Sequence, residues 1–188
     1  MNTLDIEIAI IKAYRPRQNL IVPNVAWGIH DSHYNSLHEC DILILSNTGY
    51  ATEVEIKVSK ADLLKDASKR HHHCHNLIRR FYFVVPEKLK EIALTSIPEN
   101  AGLIVVSLKE ITNYHWHYGG GKTEYKEIIT RVEIVRECKI NSQAQKWDAK
   151  QRYQLARLGT MRILALKQKL QKKSRTSSSE GLESEEEK

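Results

Sequence analysis

Residues 39–58 read ECDILILSNTGYATEVEIKV, and the order of apolar and charged positions in this stretch decides the fold. Glu39 to Leu45 and Ala51 to Val58 are strand candidates, and Ser46-Asn47-Thr48-Gly49 between them is a run of turn formers, so the stretch predicts a hairpin. Side chains alternate across a strand. Glu53, Glu55 and Lys57 therefore share one face of the second strand, with Val54, Ile56 and Val58 on the other, while Glu39 and Asp41 share a face of the first. Pairing the strands brings the acidic faces together. Three charges on one strand face in the middle of a domain are costly to bury unless they are paired or hold a cation.

Working outward, Ile6, Ile10, Ala13 and Tyr14 recur at helical spacing and predict an opening helix over residues 4–14 that Pro16 ends. Residues 20–29 look extended and are interrupted by Pro23, and 30–38 form a polar loop. Downstream, Ser59 and Asp62 are cap candidates for a helix over 60–73, IRRFYFVV (78–85) is a strand stopped by Pro86, 87–94 is a short helix, and GLIVVS (102–107) is a buried strand. Residues 111–138 predict a second hairpin turning at Gly119-Gly120-Gly121, and 142–172 a long helix containing Gly159. The last stretch, SRTSSSEGLESEEEK, has almost no apolar content and is expected to be disordered.

Composition sets the outer limits. With 188 residues, 41% of them hydrophobic and 28% charged, the chain has the makeup of one globular domain plus an appendage. No apolar run approaches the roughly 20 residues of a membrane span, so no membrane partner is expected. The opening residues lack a secretory layout, and Cys40, Cys74 and Cys138 are odd in number and scattered, which argues for free thiols and a cytoplasmic setting. The net charge of +6 is uneven: residues 1–140 carry 18 basic and 17 acidic side chains, 141–173 carry 9 and 1, and 174–188 carry 2 and 5. That concentration is the footprint expected of a polyanion partner, of which nucleic acid is the commonest, although a solvated helix face also explains it.

Carboxylates converging on one point raise one another's pKa, and a divalent cation relieves the repulsion. Hard oxygen ligands select Mg2+ or Mn2+ over zinc. Lys57, two residues beyond Glu55, then sits where it can orient or deprotonate a water or stabilise charge developing on a phosphate. In outline this is a site for phosphodiester hydrolysis.

An acid on one strand followed after a hairpin by Glu-x-Lys on the next resembles the signature of the PD-(D/E)XK nuclease superfamily, with Asp41 as first acid and Glu55-Ile56-Lys57 as second element. The order of elements over residues 4–107 is similar to that superfamily's core. The continuation EIKVSKADLLKDASKRHHH, then RFYFVVP, then AGLIVVS, resembles its MmcB-like branch of small bacterial DNA-repair proteins. One departure is that Cys40, not proline, precedes Asp41. The resemblance implies an α/β fold with a restriction-endonuclease-like core, a mixed central sheet flanked by helices. It also implies that Glu7 on the opening helix joins Asp41 and Glu55 at the metal; a solvent-facing carboxylate is the equal alternative. Glu39 and Glu53 could stand behind the direct ligands, but at strand ends they are read as exposed rather than as ligands.

Other features carry two readings each. The run His71-His72-His73-Cys74-His75 has no second ligand pair at zinc-site spacing downstream, so Lys69, Arg70 and His72, with Lys60 and Lys65, are read as contacts to substrate phosphate or as the basic end of a helix. In the long helix, Trp147, Leu155, Leu158, Met161 and Ala165 form an apolar stripe that packs on the core or on a second subunit as a homodimer, with Lys146, Lys150 and Arg157 beside it as DNA contacts. Tyr114, Trp116 and Tyr118 share one hairpin face; core or hairpin packing is favoured there over stacking on bases. The expected organisation is a core over 1–140, a basic helix over 141–173 and an acidic tail over 174–188. The expected function is a Mg2+-dependent deoxyribonuclease, more endonuclease than exonuclease, acting in DNA repair or mobile-element processing. The alternatives are a DNA-binding module that keeps the fold without cleaving, and an adaptor that assembles through its long helix.

Overall fold

The computed structural model describes residues 1–27, 38–67 and 75–183. It is an α/β fold: one six-stranded mixed sheet whose strands lie side by side in chain order. Strands β1 (Leu20–Trp27), β2 (His38–Leu45) and β3 (Ala51–Ile56) pair antiparallel, β4 (Ile78–Pro86) and β5 (Gly102–Trp116) continue in parallel, and β6 (Lys122–Arg136) returns antiparallel. The predicted hairpin is β2–β3, with Leu43 opposite Glu53 and Gly49 taking a positive φ of 91° in the turn. Pro23 is accommodated because β1 is an edge strand, where a missing N–H leaves no neighbour unsatisfied.

Each face of the sheet has its own core. Helix α1 (Thr3–Ala13) starts at a capping box in which the Asn2 side chain accepts the Asp5 N–H and the Asp5 side chain accepts the Asn2 N–H. Its Ile6, Ala9 and Ile10, spaced three and four apart, pack on Ile42, Ile44, Val54, Ile56, Val84 and Ile104. On the opposite face, Leu63 of α2 (Lys60–Ala67), Leu89 in the 3-10 turn Glu87–Leu89, and Ala93 of α3 (Lys90–Ser96) meet Phe81, Phe83, Val85, Leu103 and Val105. Strand β3 lies between these layers, and all six of its residues are buried. The predicted end of α2, residues 68–73, lies outside the described residues.

Three expectations change. The buried strand over 102–107 and the first arm of the second hairpin are one continuous 15-residue strand, β5. The long helix begins at Ala149 rather than near Ser142, because residues 139–147 form an irregular strap, with a turn at 142–143, along the amino ends of the parallel strands. The Asn141 N–H donates to Arg79 O, Gln145 N–H to Asn76 O and Trp147 N–H to Gly49 O, and the indole N–H of the buried Trp147 donates to Leu77 O at 2.9 Å. Backbone groups committed to strand ends cannot join a helix. The third change is at the other end of that helix, whose backbone stays helical to Glu183, past the expected boundary at residue 173.

The chain divides into two compact units, Met1–Trp147 and Asp148–Lys188. The second is α4 (Ala149–Glu183), which runs through Gly159 and opens on its own capping box: Gln151 N–H donates to Asp148 Oδ1 and Asp148 N–H to Gln151 Oε1. Trp147 thus belongs to the strap and not to the helix stripe, and Met161 of that stripe is exposed. No helix among the described residues is long and apolar enough to cross a membrane.

Candidate active site

Asp41, Glu55 and Lys57 come together where β3 ends. Strand alternation places Glu53 and Glu55 on the face covered by α2 and α3, and the β2–β3 register brings Asp41 beside Glu55. Asp41 Oδ2 accepts the backbone N–H of Ile56 at 2.7 Å. Lys57 Nζ donates to Glu55 Oε2 at 3.1 Å, and the Lys57 N–H donates to Val84 O, extending the parallel ladder one residue past the strand. Glu53, Glu55 and Lys57 are all buried.

The electrostatics follow from this crowding. Burial raises the Glu55 carboxyl from its ordinary value to about 7; the charge of Asp41 adds to the rise, Lys57 opposes it by charge and hydrogen bond, and Glu53 raises it further. Glu53 corrects the sequence reading: it is fully buried rather than exposed, because the α2–α3 layer closes over the strand. Glu39 is exposed, as expected. Glu7 stands apart on α1, its Oε2 accepting from Asn24 Nδ2 at 2.9 Å on edge strand β1. Among the described residues no group of three or more His, Cys, Asp or Glu side chains is placed to hold one ion, so Glu7, Asp41 and Glu55 do not form a shared cage.

The basic candidates disperse. Lys60 and Lys65 lie exposed on α2, which leaves the site directly after Ser59 accepts the Asp62 N–H as a cap. Lys69, Arg70 and His72, with His71, His73 and Cys74, lie outside the described residues, and His75 Nδ1 accepts the Leu77 N–H. Lys146 sits at the other end of β3, its ammonium 5.5 Å from the centre of the Tyr50 ring, which Arg79 also covers at 4.0 Å. With a rise near 3.3 Å per residue, that is roughly 20 Å from Lys57. Lys150 and Arg157 belong to α4. A separate cavity of about 410 Å3, lined by Arg79, Arg80, Asn100, Lys139 and Asn141, opens at that amino end. Cys40 and Cys138 are buried thiols.

No family model matches the chain, and no curated protein does. A solved structure does. It is the SPO1766 protein of unknown function from Silicibacter pomeroyi, 17% identical, aligned over 88% of each chain with a TM-score of 0.50. The likeness is one of fold.

Proposed function

We propose that the chain is a metal-dependent DNA nuclease that hydrolyses phosphodiester bonds at the carboxyl end of β3. The observation that carries this reading is the meeting of half-buried Asp41 with buried Glu55 and Lys57, the Glu55 carboxyl held up at about 7. A carboxyl raised chiefly by burial, and further by the charge of Asp41, is one that a cation would stabilise in its charged form. The donor set fits magnesium or manganese: both acids offer hard oxygens, and such ions take one or two carboxylates and keep waters and substrate phosphate as their other ligands. Asp41 uses Oδ2 on Ile56 and Glu55 uses Oε2 on Lys57, so each has its second oxygen outside these bonds.

When bound, the ion supplies Lewis-acid polarisation of the scissile phosphate and a more acidic water. The Ile56 N–H aims Asp41 at the cluster. Lys57, held by Glu55 in a buried setting, is positioned to orient the attacking water and to stabilise negative charge on the phosphate, where a low local dielectric strengthens its effect. Lys60 and Lys65 continue from the site along α2 and suit neighbouring phosphates. Lys69, Arg70 and His72 keep that role in the proposal. Endonucleolytic action in DNA repair or mobile-element processing, a cytoplasmic setting and a homodimer through α4 complete the reading.

The test is incubation of purified protein with supercoiled, linear and branched DNA, with and without Mg2+ or Mn2+, beside Asp41→Asn and Lys57→Ala. Metal-dependent strand breakage that both variants lose supports the reading. Equal nicking by wild type and variants marks a contaminant and sinks it.

A further inference from the structure

The β5–β6 ladder continues well past the helices that cover the rest of the sheet. From Ser107 to Glu137, all described, no residue is buried. At about 3.4 Å per residue, the paired stretch from Ser107 to Trp116 projects roughly 30 Å. Its turn is Gly119-Gly120-Gly121, each with positive φ. Tyr114, Trp116 and Tyr118 do not pack into a core: all three are exposed, Trp116 at 72%.

The side chains near the turn have a consistent chemistry. Tyr114 and Trp116 share a face with Lys122, whose ammonium lies 4.0 Å from the Tyr114 ring centre and 5.9 Å from that of Trp116. The other face carries His115 edge-on to His117, with His117 Nε2 2.6 Å from Thr123 Oγ1, and Tyr125. Between Asn113 and Lys126 there is no aliphatic side chain; Leu108 and Ile128 stand nearer the base of the arm. Of the acids, Glu110 pairs with Lys126 at 2.8 Å, Glu127 accepts from Asn113, and Glu124 lies opposite Tyr114. The tip thus offers rings and an ammonium and no Leu, Ile, Val or Met side chain. Rings with polar edges and an ammonium at their faces suit bases and phosphates, since every base has a face to stack and every nucleotide a charge to meet.

We propose that the tip of this hairpin binds unpaired nucleotides, with Tyr114, Trp116 and Tyr118 stacking bases and Lys122 meeting phosphate. The proposal rests on the nuclease reading and deepens it, by assigning substrates with single-stranded segments such as flaps, gaps and branches. A stacking platform is tolerant of sequence, so base preference at the tip is weak.

The test uses the full chain in EDTA, with fluorescence anisotropy of a labelled oligothymidylate and of a duplex of equal length. Wild type should prefer the single strand. Trp116→Ala and Tyr114→Ala should each weaken single-strand binding about fivefold or more, leave duplex binding unchanged and leave the melting temperature within a degree or so, because these side chains are exposed. Trp116→Phe should retain affinity, and oligothymidylate should quench wild-type tryptophan fluorescence more than that of Trp116→Phe. Unchanged single-strand affinity in Trp116→Ala overturns the proposal, as does a Trp116→Ala variant that turns a dimer into a monomer with DNA affinity intact, since the arm's occupant is then a second copy. Wild-type cleavage without a Trp116 effect removes the arm alone. Binding that tracks Trp116 without metal-dependent cleavage keeps the arm and removes the nuclease reading.

Discussion

Asp41 Oδ2 lies 2.7 Å from the backbone nitrogen of Ile56, the residue between Glu55 and Lys57. One bond therefore ties the first acid to the peptide that carries the other two groups, so the geometry of the site is set by strand pairing rather than by side-chain freedom.

Asn at position 41 keeps the acceptor oxygen and loses the charge, whereas Ala loses both. Asp41→Asn should keep near-wild-type stability and lose metal-dependent cleavage. Asp41→Ala should lose cleavage and also about 1–2 kcal/mol, the cost of leaving a buried donor without its acceptor. Urea denaturation of both variants beside a nicking assay checks the pair.

Glu55 makes stability depend on pH in a defined direction. Its folded pKa of about 7 exceeds the ordinary value of 4.5, so between these pH values the folded state holds a proton that the unfolded state has released. Stability in EDTA should therefore fall as pH rises from 4.5 to 7, by up to about 3 kcal/mol from this group. Glu55→Gln should remove that component, and Mg2+ should restore stability to the wild type above pH 7 and not to the Gln variant. Thermal melts across pH, with and without the ion, read both effects.

Lys57 is the cation of a buried pair, and removing one partner leaves the other charge exposed to the low dielectric. Lys57→Ala should cost about 3–5 kcal/mol at pH 8 in EDTA. Mg2+ should recover part of that stability without recovering cleavage, which separates the structural role of the ammonium from its part in the reaction.

Gly102 begins β5 directly against Tyr82. A Cβ there would lie 2.3 Å from two atoms of the Tyr82 ring and 2.9 Å from Cys138 N, and the ring is pinned by a 2.6 Å bond from its hydroxyl to Glu137. Gly102→Ala should destabilise by about 1–3 kcal/mol through overpacking. Tyr82→Phe in the same chain should give no relief, since the ring remains. Chemical denaturation of the single and double variants is the measurement.

The strap gives a prediction by truncation. Ending the chain after Trp147 leaves the first unit whole, whereas ending it after Cys138 removes Trp147 and the backbone bonds to Asn76, Arg79 and Gly49. The shorter truncation product should be less stable by about 3 kcal/mol or more, the scale of losing one buried tryptophan. Comparing the two melting temperatures decides it.

Much of this was legible in residues 39–58, because alternation and turn chemistry are local and fix which side chains share a face. Glu53 was not legible. Its burial comes from a helix layer made of α2 and α3, and no local pattern tells a covered strand face from an open one. The strap was misread as helix because residues 142–148 contain nothing that forbids helix; distant carbonyls of Gly49, Asn76 and Arg79 outcompete local propensity there. That the hairpin aromatics lie outside any core was not legible either. Their ring content suits a packed ladder, and only the extent of the helices shows that the ladder outruns its cover.

The chain-order arrangement of the strands bears on how the molecule is made. Each strand from β2 onward adds beside the one synthesised just before it, so the sheet can grow by accretion as the polypeptide leaves the ribosome, without waiting for a distant partner. The acids and Lys57 are laid down before β4, inside a single hairpin whose β3 edge still has no neighbour. Their burial waits on β4, α2 and α3. A nascent chain paused before Ile78 would carry these charges without β4 and α3 beside them, and the low-dielectric setting that tunes Glu55 would arrive only with those later elements.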